Sequence, residues 1–103
     1  MTTLERVRAA LADRDDVVEK KMVGGRSFMV DGRLVLGVVK DDLMVRLAGA
    51  DYAAAMGESN VRPMTLGGRA LKHYLLVAPA AIATDADLGR WIRRAAAAEA
   101  GAR

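Results

Sequence analysis

Few side chains in this chain could do chemistry: one histidine, His73, two serines, Ser27 and Ser59, and two acid pairs, Asp15-Asp16 and Asp41-Asp42. A ligating or catalytic histidine needs partners. The chain has no cysteine and no second histidine with which His73 could complete a soft metal site. Strand alternation sets His73 on one face with Leu71, Leu75 and Val77, which makes it a hydrogen-bonded structural side chain. Ser27 and Ser59 lie outside any G-x-S-x-G context. Asp15-Asp16 and Asp41-Asp42 fall at element ends, where turn formation and solvation explain acids better than metal binding does. Gly24-Gly25 is followed by strand residues, not by the Lys-Ser or Lys-Thr that opens a helix after a phosphate loop. The expectation is a chain with no catalytic residues, no metal ligands and no cofactor, and not an enzyme.

The charged residues offer a second possibility, that of binding. Between Glu58 and Asp85 there is no acid, while Arg62, Arg69, Lys72 and His73 all lie there. Arg90 and Arg94 stand one helical turn apart near the end of the chain. These five cations, Arg62, Arg69, Lys72, Arg90 and Arg94, are the candidate ligand or partner contacts. A small ligand-binding protein or enzyme using the patch around Arg62, Arg69 and Lys72 is the alternative reading. A weak DNA-binding accessory protein is the next. The net charge of +3 is spread among acids, and no base-reading motif is present. Nucleic-acid binding is therefore expected to be weak and sequence-independent at most.

The elements that must position these groups follow from periodicity. Thr2 or Thr3 can cap a first helix with Leu4, Val7 and Leu11 on one face. Val17 to Val23 is an extended segment entering the sheet. Gly24 and Gly25 turn or bulge the backbone where a side chain would clash. Ser27 to Val30, Arg33 to Val39 and Leu43 to Leu47 read as strands, with Asp31-Gly32 as a two-residue hairpin. Ala50 to Met56 is a short helix. Arg62 to Leu66 and Arg69 to Val77 are strands joined at Gly67-Gly68, with Pro63 marking an edge. Thr84 caps a last helix whose stripe is Leu88, Trp91, Ile92 and Ala95. The expected class is α+β, an antiparallel-rich sheet of about five strands with three helices, in the order α-β-β-β-α-β-β-α. Residues 1–99 form one domain and residues 100–103 a flexible tail.

Leu34, Leu36 and Val38 share one sheet face with Leu43, Val45 and Leu47, and should meet the helices. Met29, Val35, Val39 and Met44 lie opposite. That second face is too apolar for a one-sided sheet. A helix or a second copy of the chain should cover it, and a homodimer through these four residues is expected.

Composition fits this plan. Hydrophobic residues make up 52% of 103, enough for a core, but aromatics only 4%. The first residues are not a basic segment leading into an apolar run, and no apolar stretch approaches the roughly 20 residues of a membrane helix. A cytoplasmic protein without membrane contact is expected.

Several short segments occur together in a telling order. They are Met22-Val23-Gly24-Gly25, Phe28-Met29-Val30-Asp31-Gly32, Leu43-Met44-Val45-Arg46, Tyr52, Arg62-Pro63-Met64, Gly68-Arg69, Pro79 and Leu88-Gly89-Arg90-Trp91. From about Val17 to Ala98 the chain resembles the TfoX N-terminal domain family. Val23 stands where that family usually has Phe, and Arg26-Ser27 where an aromatic and Gly are more typical. The resemblance implies the same element order. It also implies a regulatory module, since the family's namesake is a regulator of natural competence acting with the cyclic-AMP receptor protein. Those regulators carry a second, C-terminal domain, and this chain, ending at Arg103, resembles a stand-alone N-terminal type. The resemblance supplies no catalytic residues. The function expected is a non-enzymatic binding or regulatory module, possible in transcription or competence, acting by contact with a regulatory protein partner.

Overall fold

A computed structural model describes residues 1–22 and 24–101. Val23, Ala102 and Arg103 lie outside the described residues. The element order is α1 (Thr3–Ala10), β1 (Val17–Met22), β2 (Gly25–Val30), β3 (Arg33–Val39), β4 (Asp42–Arg46), α2 (Gly49–Met56), β5 (Val61–Leu66), β6 (Arg69–Val77) and α3 (Asp85–Gly101), with a 3₁₀ turn at Pro79–Ile82 before α3. This is the α+β class read from the sequence, with six strands instead of five. The added strand is β1. Its polar, partly exposed residues alternate weakly because it is an edge strand with one neighbour.

All strand pairs are antiparallel, and the sheet order is β1-β2-β3-β4-β6-β5. The chain leaves β4, crosses through α2 to the far edge at β5, and returns by a hairpin to lay β6 against β4. Pro63 therefore sits on an edge strand, where its missing N–H costs no ladder bond. Asp31 (φ 51°) and Gly32 (φ 76°) both take the left-handed region, as a two-residue hairpin requires.

All three helices gather on one face. Helix α3 lies over β3 and β4, and α2 over β5 and β6. Helix α1 and its C-cap residue put Val7 and Leu11 into the same core as Phe28, Val30, Leu36, Val38, Leu43, Val45, Leu75 and Val77. It begins with a capping box. The Thr2 hydroxyl accepts from the Glu5 N–H, and the Glu5 carboxylate accepts from the Thr2 N–H. The Thr3 hydroxyl ties α1 to the sheet by donating to the Asp41 carbonyl at 2.8 Å. Helix α3 docks through Leu88, Trp91 and Ala95, with Ile92 at the margin of the core. Thr84 caps its start, its hydroxyl accepting from the Asp87 N–H. The helix runs through Gly101, past the domain boundary placed at residue 99.

One strand departs from simple alternation. Phe28 pairs with Leu36, but Met29 pairs with Leu34, so Val35 has no partner across β2. This is a β-bulge, and a one-residue offset exchanges the two faces beyond it. Val35 turns into the core and is 4% exposed. Leu34 turns to the other face. The expected assignments of Leu34 and Val35 are thus both corrected, and Val35 cannot belong to a dimer face.

Candidate functional site

The face away from the helices is built by alternation on the central strands. Met22 on β1, Ser27 and Met29 on β2, Leu34, Gly37 and Val39 on β3, Met44 and Arg46 on β4, and Tyr74 and Leu76 on β6 share it. No helix lies over it. The structure thus keeps three of the four expected face residues, Met29, Val39 and Met44, together. It adds Met22, Leu34 and Leu76.

The face is flatter and better filled than its composition suggests. Met44 is 2% exposed and Leu76 9%, with no helix above them. Gly37 explains part of this. Its missing side chain leaves room for the Met44 thioether to lie flat, with Met22 beside it. Met22, Met29, Leu34 and Val39 are half-buried. Val18, in the same row as Met29 and Leu34, is 53% exposed on the edge strand.

Charges sit around this apolar centre. At one end Arg62 Nη2 donates to Asp42 Oδ2 at 2.6 Å. At the other end Arg46 faces Tyr74 across β4 and β6. Beside Tyr74, His73 takes φ 72°, and its carbonyl accepts from the Leu47 N–H at 2.9 Å. That left-handed backbone at a non-glycine residue was not legible from alternation.

The five cations singled out in the sequence do not converge. Arg62 is engaged with Asp42. Arg69 and Lys72 lie exposed on the β5–β6 hairpin. Arg90 and Arg94 are on α3, on the helical side. There both donate to Glu58, at 3.3 and 2.8 Å, and both overlie the buried Trp91 ring, at 5.6 and 4.2 Å from its centroid. One carboxylate thus holds two guanidiniums across an aromatic face, which closes the helical layer at the α2–β5 loop. Sequence reasoning missed this lock, because Glu58 is 32 and 36 residues away from its partners.

The displaced ionisations belong to caps and ion pairs. Glu5 is held below the usual carboxylate range by hydrogen bonds from the Thr2 backbone and side chain. Glu19 is pulled down from 4.5 to about 2, first by the hydrogen bond from Arg8, against the opposing effect of burial, and then by Arg26. Arg8 and Arg14 are raised, chiefly by their hydrogen bonds to Glu19 and Asp16. Among the described residues no group of three or more His, Asp or Glu is arranged to hold a metal ion. No helix is long and apolar enough to cross a membrane.

Six antiparallel strands with three helices on one face, in this order, define an α+β domain with an open, apolar sheet face bordered by charge. The family model for the TfoX N-terminal domain matches residues 9–99, and the chain belongs to that family. No curated protein and no solved structure gives a significant match.

Proposed function

We propose that this chain is a non-enzymatic binding module that works by protein–protein contact through the open sheet face, with a second copy of itself as the occupant. One observation carries the reading: all three helices pack on one side and leave Met22, Met29, Leu34, Val39 and Val18 uncovered on the other. An apolar centre with charges at its margin is the usual anatomy of a protein interface. Two-fold pairing of identical faces is the commonest way to cover one. The displaced carboxylates and guanidiniums are accounted for by a helix cap and surface ion pairs, which supports binding over catalysis. Family membership supports a regulatory setting in the cytoplasm, in transcription or competence.

Light scattering tests the pairing. The wild type should have the mass of two chains at high micromolar concentration. Met29→Glu should give a folded single chain, since Met29 is half-buried on the open face. A single-chain mass for the wild type contradicts the proposal and leaves an unlike partner as the occupant.

A further inference from the structure

Arg46 differs from the arginines that are ion-paired and from Arg69 and Arg93, which are exposed. Arg6, Arg8, Arg14, Arg26, Arg62, Arg90 and Arg94 each form an ion pair with a carboxylate. Arg46 is half-buried at the end of β4 and forms no ion pair or hydrogen bond among the described residues. Partly removing a cation from water without a counter-charge is costly. Arg46 also lines a shallow cleft of about 300 Å³ with Arg33, Leu34, Tyr74 and Glu99. That is the lower end of the size range for small-ligand sites, roughly 300–1,000 Å³.

We propose that this cleft recognises a carboxylate, with the Arg46 guanidinium as its principal donor. Arg46 and Tyr74 are cross-strand partners, so both side chains leave the sheet on the same side. A guanidinium offers two parallel N–H donors that match a carboxylate, and the Tyr74 hydroxyl can donate a further bond. Leu34 supplies an apolar wall for the carbon next to the carboxyl group. The left-handed backbone at His73 directly precedes Tyr74 in the chain. Such conformations persist where the surrounding structure holds them, and they concentrate at functional sites. The proposal goes beyond the pairing of the open face. It depends on Arg46 at the end of that face and not on Met29 at its β1–β3 side.

The test is a nuclear magnetic resonance titration of the ¹⁵N-labelled protein, following the Arg46 Nε–H and the Tyr74 ring. Sodium acetate is compared with sodium chloride at equal ionic strength, and then with an end-blocked peptide of three glutamates. Acetate should shift both signals to saturation and chloride should not. Arg46→Gln should weaken acetate binding about tenfold or more, because the bidentate charge-assisted pair is lost. Arg46→Lys, which keeps the charge and the fold, should weaken it by about threefold or more through loss of the planar fork. Saturation by the peptide at about a tenth of the acetate concentration or less, as linked contacts would give, identifies an acidic chain segment as the source. Equal concentrations per carboxylate identify a small free acid. Identical responses to acetate and chloride, or acetate binding unchanged in Arg46→Lys, would overturn the site. Met29→Glu separates the two proposals, since it should abolish pairing and leave acetate binding intact.

Discussion

Met44 lies flat across Gly37, its partner on the neighbouring strand. A Cβ at Gly37 would stand 2.7 Å from the Met44 Cε and 3.0 Å from the Arg26 carbonyl oxygen. The glycine is therefore what allows a methionine on an uncovered sheet face to be almost wholly shielded. It also keeps the middle of that face low enough for another surface to approach.

Gly25 is a harder constraint than Gly37, and the two separate by mutation. A Cβ at Gly25 would come within van der Waals contact of the Val38 carbonyl, at 1.8 Å from its oxygen. That neighbour is backbone and cannot give way. At Gly37 the nearest atom is the end of a flexible side chain. Gly25→Ala should cost about 4 kcal/mol or more, in the range reserved for gross steric conflict. Gly37→Ala should cost about 1–3 kcal/mol, as for an overpacked site. Urea unfolding of the two variants checks the order, and equal losses would contradict it.

Glu19 should give the protein an acid-sensitive step. Its carboxylate accepts from Arg8 Nε and Nη2 at 2.8 and 2.7 Å and from Arg26 Nε at 2.7 Å. The folded-state value of about 2 lies below the ordinary 4.5. Stability from this group is thus fully present above 4.5 and is lost as the pH falls through that value toward 2. Arg8 is largely solvated, so the effect should be modest and weakened by salt. Glu19→Gln should flatten the pH dependence of unfolding in that window. An unchanged slope would contradict the assignment.

Trp91 should dominate the docking of α3. It is 0% exposed, and its indole Nε1 has no acceptor among the described residues, so its contribution is packing. Trp91→Ala should cost about 3–5 kcal/mol. Glu58→Ala, which only releases Arg90 and Arg94, should cost about 1 kcal/mol or less, as partly exposed ion pairs do. Denaturant unfolding of both variants tests this, and comparable losses would show that the Glu58 lock, not the ring, holds the helix.

The parts of the fold legible in the sequence were those set by local chemistry. The Thr2 and Thr84 caps, the Asp31-Gly32 hairpin, the edge placement of Pro63 and the Leu88–Trp91–Ala95 stripe each follow from neighbouring residues. The reading that a side chain would clash at Gly24-Gly25 holds for Gly25, which meets β3, while Gly24 has room for a side chain but takes φ 82°. What stayed hidden depends on register between strands or on distant contacts. The bulge at Val35 is a property of β2 and β3 together, so alternation along β3 alone sent Val35 to the wrong face. Strand β1 was undercounted because an edge strand need not alternate strongly. In the sequence Arg46 is only one member of the Leu43-Met44-Val45-Arg46 segment, and its half-buried, unpaired state emerges only from burial and the ion pairs of distant residues.

The central claim is that the methionine-bearing face meets a second copy, and contacts between copies test it most directly. Equal amounts of protein carrying ¹³C-labelled methionine methyls and of unlabelled protein would be mixed, and isotope-filtered nuclear Overhauser spectra recorded. The account predicts cross-peaks from the Met22 and Met29 methyls to protons of the unlabelled chain, and none from Met56, which ends α2 and packs against the core on the helical side. Spectra without intermolecular peaks from Met22 and Met29, in a sample at high micromolar concentration, would contradict it.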